Sequence, residues 1–206
     1  MSDIDLDIGD TRLILAHCKR SDLLRNQAAY VLATAFWETA RTMEPVKEAF
    51  WMSEWWRETN LRYYPWYGRG YVQLTWKQNY ERAGRELDLD LTTDPDAVMV
   101  PNTASRILVL GCRDGWFTGK ALSDYITLSL SDFIGARKIV NGRDKAETIA
   151  ALARGYDAAL LAEGYGVEDG ENTPSAKDLL AAYINHKDVT PGSPQHTIAG
   201  ALRDMT

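Results

Sequence analysis

Glu38 closes an almost wholly apolar stretch, "AAYVLATAFWE", and four more glutamates, Glu44, Glu48, Glu54 and Glu58, follow within the next two dozen residues. Carboxylates in this arrangement could serve glycosidic bond cleavage, which usually needs one carboxyl group kept protonated near neutral pH and another kept ionised. Glu38, beside Trp37 at the end of a largely buried helix, is placed where desolvation favours the protonated acid, and it is the candidate general acid. An arbitrary helix-end glutamate more often reaches solvent. Spacing alone does not choose among the four partners.

The second chemical feature is the aromatic stretch "YYPWYGRGYVQLTWKQNY", residues 63 to 80. If residues 71–75 form a strand, Tyr71, Gln73 and Thr75 share one face, with Val72 and Leu74 on the other. A ring, an amide and a hydroxyl in a row suit a sugar, whose rings stack on aromatics while its hydroxyl and N-acetyl groups take hydrogen bonds. A merely solvated face would look the same for this strand alone. Six of the seven tryptophans, Trp37, Trp51, Trp55, Trp56, Trp66 and Trp76, fall between residues 37 and 76, and half of them are expected in the core. A set this dense, partly exposed, points to a binding cleft.

The elements that must position these groups read as mainly helical. Residues 11–20 and 22–41 form two helices, the second capped by Ser21 or Asp22 and apolar on nearly every face from Ala28 to Trp37. Pro45 ends that helix or begins a short new one, and "EAFWMSEWWRE" has mixed helical periodicity. Gly68-Arg69-Gly70 supplies a tight turn between two short strands. Helices follow over Lys77 to Leu87, from Pro101 as a first-turn proline, and after "DKAE" at 144–147, an acidic capping box. A Gly/Asp/Glu-rich loop spans 164–174, and "SAKDLLAAYINH" gives one more helical pattern before a Pro/Gly/Ser-rich tail.

Composition narrows the partners. With 206 residues and a net charge of -6, the chain suits one domain and argues against a nucleic-acid backbone or an anionic membrane as an electrostatically driven partner. The start, "MSDIDLDIGD", has acidic residues where a signal peptide has basic ones, and no apolar run approaches the ~20 residues of a membrane span. Synthesis in the cytoplasm without a signal peptide or membrane anchor is therefore expected. Cys18 and Cys112 read as core thiols, and His17, His186 and His196 show no ligand spacing, so no metal is expected. No nucleotide loop is present, and no cofactor is expected.

"AFWETA" followed by "YYPWYGRGYVQLTWKQNYERAG" resembles the catalytic core of glycoside hydrolase family 19, the chitinases and related bacteriophage endolysins, with "KIVNG" at 138–142 similar to a later family segment. The likeness runs from about residue 25 to 160. It implies a mainly α (α+β) lysozyme-like fold with a small β hairpin beside the substrate cleft, and an inverting mechanism. Glu38 matches the general acid. Glu48 in "PVKEAFW" matches the general base of the endolysin-like branch, while Glu54 and Glu58 remain alternatives in the plant-chitinase branch. Thr75 matches the residue that holds the attacking water. Gln73 and Asn79 match cleft-lining positions, Asn141 a substrate-contacting asparagine, and Arg69 a structural arginine; Tyr71 and Trp66 are expected to contact substrate. Where the family has histidine before the acid, this chain has Trp37, which can desolvate Glu38 but accepts no hydrogen bond.

The resulting expectation is a single catalytic domain over 1–206, with a core at about 11–162 and a segment 165–206 of unassigned role. An endolysin-like muramidase acting on peptidoglycan after holin-dependent release is the leading reading, with chitinase as the alternative enzyme and an inactive polysaccharide-binding protein as the alternative of another class. Inversion calls for carboxyl groups ~6.5–9.5 Å apart, leaving room for the water. A monomer is expected.

Overall fold

In the computed structural model, which describes residues 4–166, the apolar run after Arg25 sets the architecture. Helix α1 (Thr11–Arg20) leads into α2 (Arg25–Glu38), in which every residue from Ala28 to Ala35 is buried. A helix buried on all sides must be wrapped by others. It packs chiefly against the last described helix, α6 (Ala146–Ala162), while α1 lies on α5 (Pro101–Asp114). Helices α3 (Glu54–Asn60) and α4 (Lys77–Leu87) flank a short sheet, and 3-10 turns at Pro95–Met99, Leu122–Asp124 and Gly135–Ile139 join the rest. Six α-helices and one two-stranded antiparallel sheet make the described residues mainly helical.

Several boundaries differ from the sequence reading. Helix α2 begins at Arg25 rather than residue 22, because Ser21 closes α1 and Asp22 takes a left-handed conformation at φ 54°. Neither residue caps α2; the Gln27 side chain instead accepts from the Leu24 N–H at 3.1 Å. Pro101 does open α5 at its first turn. Helix α6 starts after Lys145, and Asp144 offers its carbonyl, not its carboxylate, to the structure, accepting from Arg137 Nε at 3.0 Å. The helical pattern "SAKDLLAAYINH", and with it His186 and His196, lies outside the described residues, as does nearly all of the 165–206 segment.

The sheet departs furthest from expectation. Gly68-Arg69-Gly70 is not the turn of a hairpin: strand β2 (Arg69–Gly70) pairs with β1 (Val46–Lys47), in the register Val46 to Gly70 and Lys47 to Arg69. Residues 71–75 are not a strand. Leu74 bends back to exchange both backbone hydrogen bonds with Arg69, at 2.9 and 3.3 Å, and Gln73 turns the chain at φ 54°. The Gly70 position, at φ 81° and pressed against Val98, suits a residue without a Cβ. Cys18 and Cys112 are both buried thiols. Among the described residues, no helix is long and apolar enough to cross a membrane.

Candidate active site

Glu38 sits at the last turn of α2, half-buried, where Arg137 donates from Nη1 to its Oε1 at 2.7 Å. Arg137 is itself almost completely buried, so this is an ion pair shielded on the cation's side. The apolar wall expected around Glu38 is therefore only part of its setting. Trp37 is half-buried against the core, and the polar neighbour is a guanidinium 99 residues further along the chain. Arg137 also donates to the Asp144 carbonyl and accepts the Asn141 N–H at 3.0 Å, which ties the 135–144 segment to the end of α2.

Glu48 is held from three directions. Continuing β1, its N–H donates to the Gly68 carbonyl at 2.7 Å, and its Oε2 accepts from the Gly68 N–H at 2.9 Å. The Tyr63 hydroxyl donates to Oε1 at 2.6 Å. A Cβ on residue 68 would stand 2.7 Å from the Gln73 Oε1 and 3.1 Å from the Glu48 Oε2, so glycine is what allows the backbone to reach the carboxylate. Buried Arg57 of α3 fixes the chain beneath it, donating to the carbonyls of Glu48 and Ala49 at 2.8 and 2.9 Å.

The alternative bases stand differently. Glu54 lies in the first turn of α3, where Ser53 caps the helix, and it accepts from the Tyr67 hydroxyl at 3.0 Å and from Arg57 at 3.2 Å; about half of its side chain is exposed. Burial, opposed by nearby Arg69 and reinforced by Glu54, pushes the Tyr67 phenol up, so it remains a donor. Glu58, on the solvent side of α3, is exposed.

Gln73, Thr75 and Asn79 meet around one cavity of about 120 Å³, whose far side is formed by Phe117 and Val140. Thr75 donates to the Gln73 carbonyl at 2.7 Å, Asn79 donates to the Thr75 carbonyl at 2.7 Å, and Gln73 donates to the Val46 carbonyl at 3.0 Å. Through Gln73 this cavity adjoins Gly68 and the Glu48 carboxylate. Through Val140 it adjoins the segment that carries Arg137 and Asn141. Asn141 is exposed, with its Oδ1 accepting the Gly142 N–H at 2.8 Å.

Two expected substrate contacts take other positions. Tyr71 is fully buried and its hydroxyl donates to Asp10 at 2.7 Å, so its ring offers no surface to a ligand. The reason is the turn at Gln73, which replaces the strand whose alternation would have faced Tyr71 outward. Trp66 is half-buried, its indole N–H directed at the Thr92 carbonyl at 3.3 Å. Arg69 is buried, donates from Nε to Asp96 at 2.7 Å and lies 3.6 Å over the Tyr67 ring. The exposed aromatics are instead Phe50 (63%), Trp51 (72%) and Trp55 (70%), directly after Glu48, with Trp76 at 38%.

Sequence reasoning missed Arg137, Arg57, Tyr63 and Tyr67. For the two tyrosines a signal existed in the quoted aromatic stretch, but their hydroxyl partners lie 15 and 13 residues earlier, a pairing no local period encodes.

A helical core, a short two-stranded sheet and a carboxylate fixed near each, Glu38 at the end of α2 and Glu48 just after β1, agree with the fold that the sequence likeness implies. Residues 27–110 match the family model described as chitinase class I, that of glycoside hydrolase family 19. It is similar to "Chitinase 11" of Oryza sativa subsp. japonica, 34% identical over 128 residues, covering 61% of this chain and 46% of the relative. It is also similar to "Acidic endochitinase" of Dioscorea japonica, 33% identical over 114 residues, covering 52% of this chain and 43% of the relative. The chain thus spans about half the length of the curated relatives it matches. No solved structure matches.

Proposed function

We propose that the protein is a chitinase-type glycoside hydrolase, cleaving β-1,4 bonds of N-acetylglucosamine polymers with inversion. The observation that carries this reading is that Glu38 and Glu48 are each fixed by donors from elsewhere in the chain, Arg137 for the first and Tyr63 with Gly68 for the second. Among the described residues, Arg137 engages only Oε1 of Glu38, which leaves Oε2 to deliver a proton to the leaving oxygen. Glu48 keeps an open lone pair on each oxygen after accepting from Tyr63 and Gly68, enough to take a proton from an attacking water. Thr75, having donated to the Gln73 carbonyl, can accept that water's other hydrogen. The two relatives named as chitinases move the balance from peptidoglycan, the leading expectation from sequence, towards chitin.

One observation favours peptidoglycan as a second reading. Lys138, Arg143 and Lys145, against Asp132 and Glu147, give a cavity of about 620 Å³ an excess of one positive charge. Chitin carries no carboxylates for them, whereas the peptide-bearing sugars of peptidoglycan do. Release to the wall with a holin's help belongs to that reading alone.

The deciding experiment follows reducing-end release from colloidal chitin and from purified peptidoglycan, for the wild type beside Glu38→Gln and Glu48→Gln. Cleavage of chitin that both substitutions abolish, with product of inverted anomeric configuration by NMR, is expected. Cleavage confined to peptidoglycan selects the second reading, and retention on the insoluble polymer with no cleavage of either makes the protein a binder.

A further inference from the structure

Tyr63 touches Glu48, and Trp76 touches Tyr63. Tyr63 is half-buried, and its hydroxyl makes the shortest contact to the Glu48 carboxylate, 2.6 Å. Burial first, and the neighbouring carboxylate next, push the phenol up to about 12, so it stays a donor through any working range. Its ring meets the indole of Trp76 edge to face, with centroids 4.8 Å apart and planes at 61°. Trp76 is 38% exposed, and the Arg62 guanidinium lies 5.1 Å from its ring.

The backbone of Trp76 is unusual for a large side chain, with φ at 75°. Such a conformation persists only where the surroundings impose it. Here the Trp76 N–H donates to the Trp66 carbonyl at 2.9 Å, and its own carbonyl accepts from Asn79 at 3.0 Å as α4 begins. The residue is thus pinned at the entrance of a helix, with one part of the indole against Tyr63 and another open to solvent. Helix entry alone would be served by a small capping residue.

We infer that Tyr63 is the positioning residue of Glu48, and that Trp76 is a sugar-stacking contact through which an occupied cleft steadies the Tyr63–Glu48 hydrogen bond. This rests on Glu48 as the general base. A sugar ring lying on the open part of Trp76 presses the indole against Tyr63, and the hydroxyl then holds Oε1 so that the remaining lone pairs face the water. The charged neighbours are fixed in either state: Arg57 is bonded to the Glu48 carbonyl, Glu54 to Arg57 and Tyr67, Lys47 to Asp96, and Arg62 lies over Trp76. Loss of the Tyr63 hydroxyl therefore removes one donor and no charge.

The test uses the full 206-residue chain and a soluble N-acetylglucosamine hexamer. In Tyr63→Phe, kcat falls by roughly 10- to 100-fold with KM within about twofold, an effect the size of a mispositioned general base. Trp76→Ala raises KM and lowers kcat together, and Trp76→Phe restores most of both. Calorimetry on Tyr63→Phe shows a cooperative melt, so that the lost kcat is not a lost fold. Wild-type kcat in Tyr63→Phe overturns the inference, as does a Trp76→Ala protein altered in melting temperature alone. An active Glu48→Gln protein fails the underlying reading instead; an inactive one beside an unaffected Tyr63→Phe fails this inference alone.

Discussion

Replacing Arg137 by Met tests how Glu38 is held. The substitution keeps much of the buried volume but removes the guanidinium that donates to Glu38 at 2.7 Å and to the Asp144 carbonyl at 3.0 Å. Asp144 is exposed and water can replace its lost donor, so the cost falls on Glu38, whose side chain keeps one fifth of its surface exposed. Breaking a fully buried pair costs about 3–5 kcal/mol, and the partial exposure of Glu38 discounts this to about 2–3 kcal/mol. For a folded unit of this size that lowers the melting temperature by roughly 4–12 °C. The assay is calorimetry on the wild type, Arg137→Met, Glu38→Gln and the double variant. Because the cost in Arg137→Met comes from a stranded carboxylate, the double variant recovers more than about 1 kcal/mol relative to additivity. A melting temperature within about 1 °C of wild type for Arg137→Met, or strict additivity, refutes the argument that the ion pair holds the acid.

Gly68→Ala places a methyl group 3.1 Å from the Glu48 carboxylate and 2.7 Å from the Gln73 amide oxygen, so kcat on chitin hexamer falls about 100-fold or more while a cooperative melt is retained. Asp96 gives a pH signature: burial works to raise its carboxyl, but the hydrogen bonds from Lys47 and Arg69 outweigh burial and bring it below its ordinary 3.8. Its stabilisation is therefore fully present above about pH 4 and is lost as the pH falls through the lowered folded value, so the melting-temperature gap between wild type and Asp96→Asn is widest at neutral pH and closes below that folded value.

The buried helix α2 was legible because eight consecutive small and apolar residues leave no face for water, whatever surrounds them. Pro101 marked α5 through its fixed backbone. The strand read over residues 71–75 failed for a physical reason: Gln73 turns the chain at φ 54°, and the inward Tyr71 hydroxyl is bonded to Asp10, 61 residues earlier. Glu48 emerged from its resemblance to a known pattern rather than from its own chemistry, since the groups that single it out from Glu54 and Glu58 are a phenol and a backbone amide on another element. The Arg137 partner of Glu38 was out of reach in the same way, 99 residues distant and inside a segment noted for its asparagine.

The partners of the two carboxylates come from very different distances along the chain. Those of Glu48 all lie within the next 20 residues, whereas Glu38 waits for Arg137 and for α6 to close over α2. During synthesis from the N-terminus, the Glu48 half can therefore assemble early from local contacts, and the Glu38 half is completed only when the last described helix has emerged. On the proposed reading, an unfinished chain holds its water-activating half without a secured acid opposite it, and the site is completed late in synthesis, with the closing of the core.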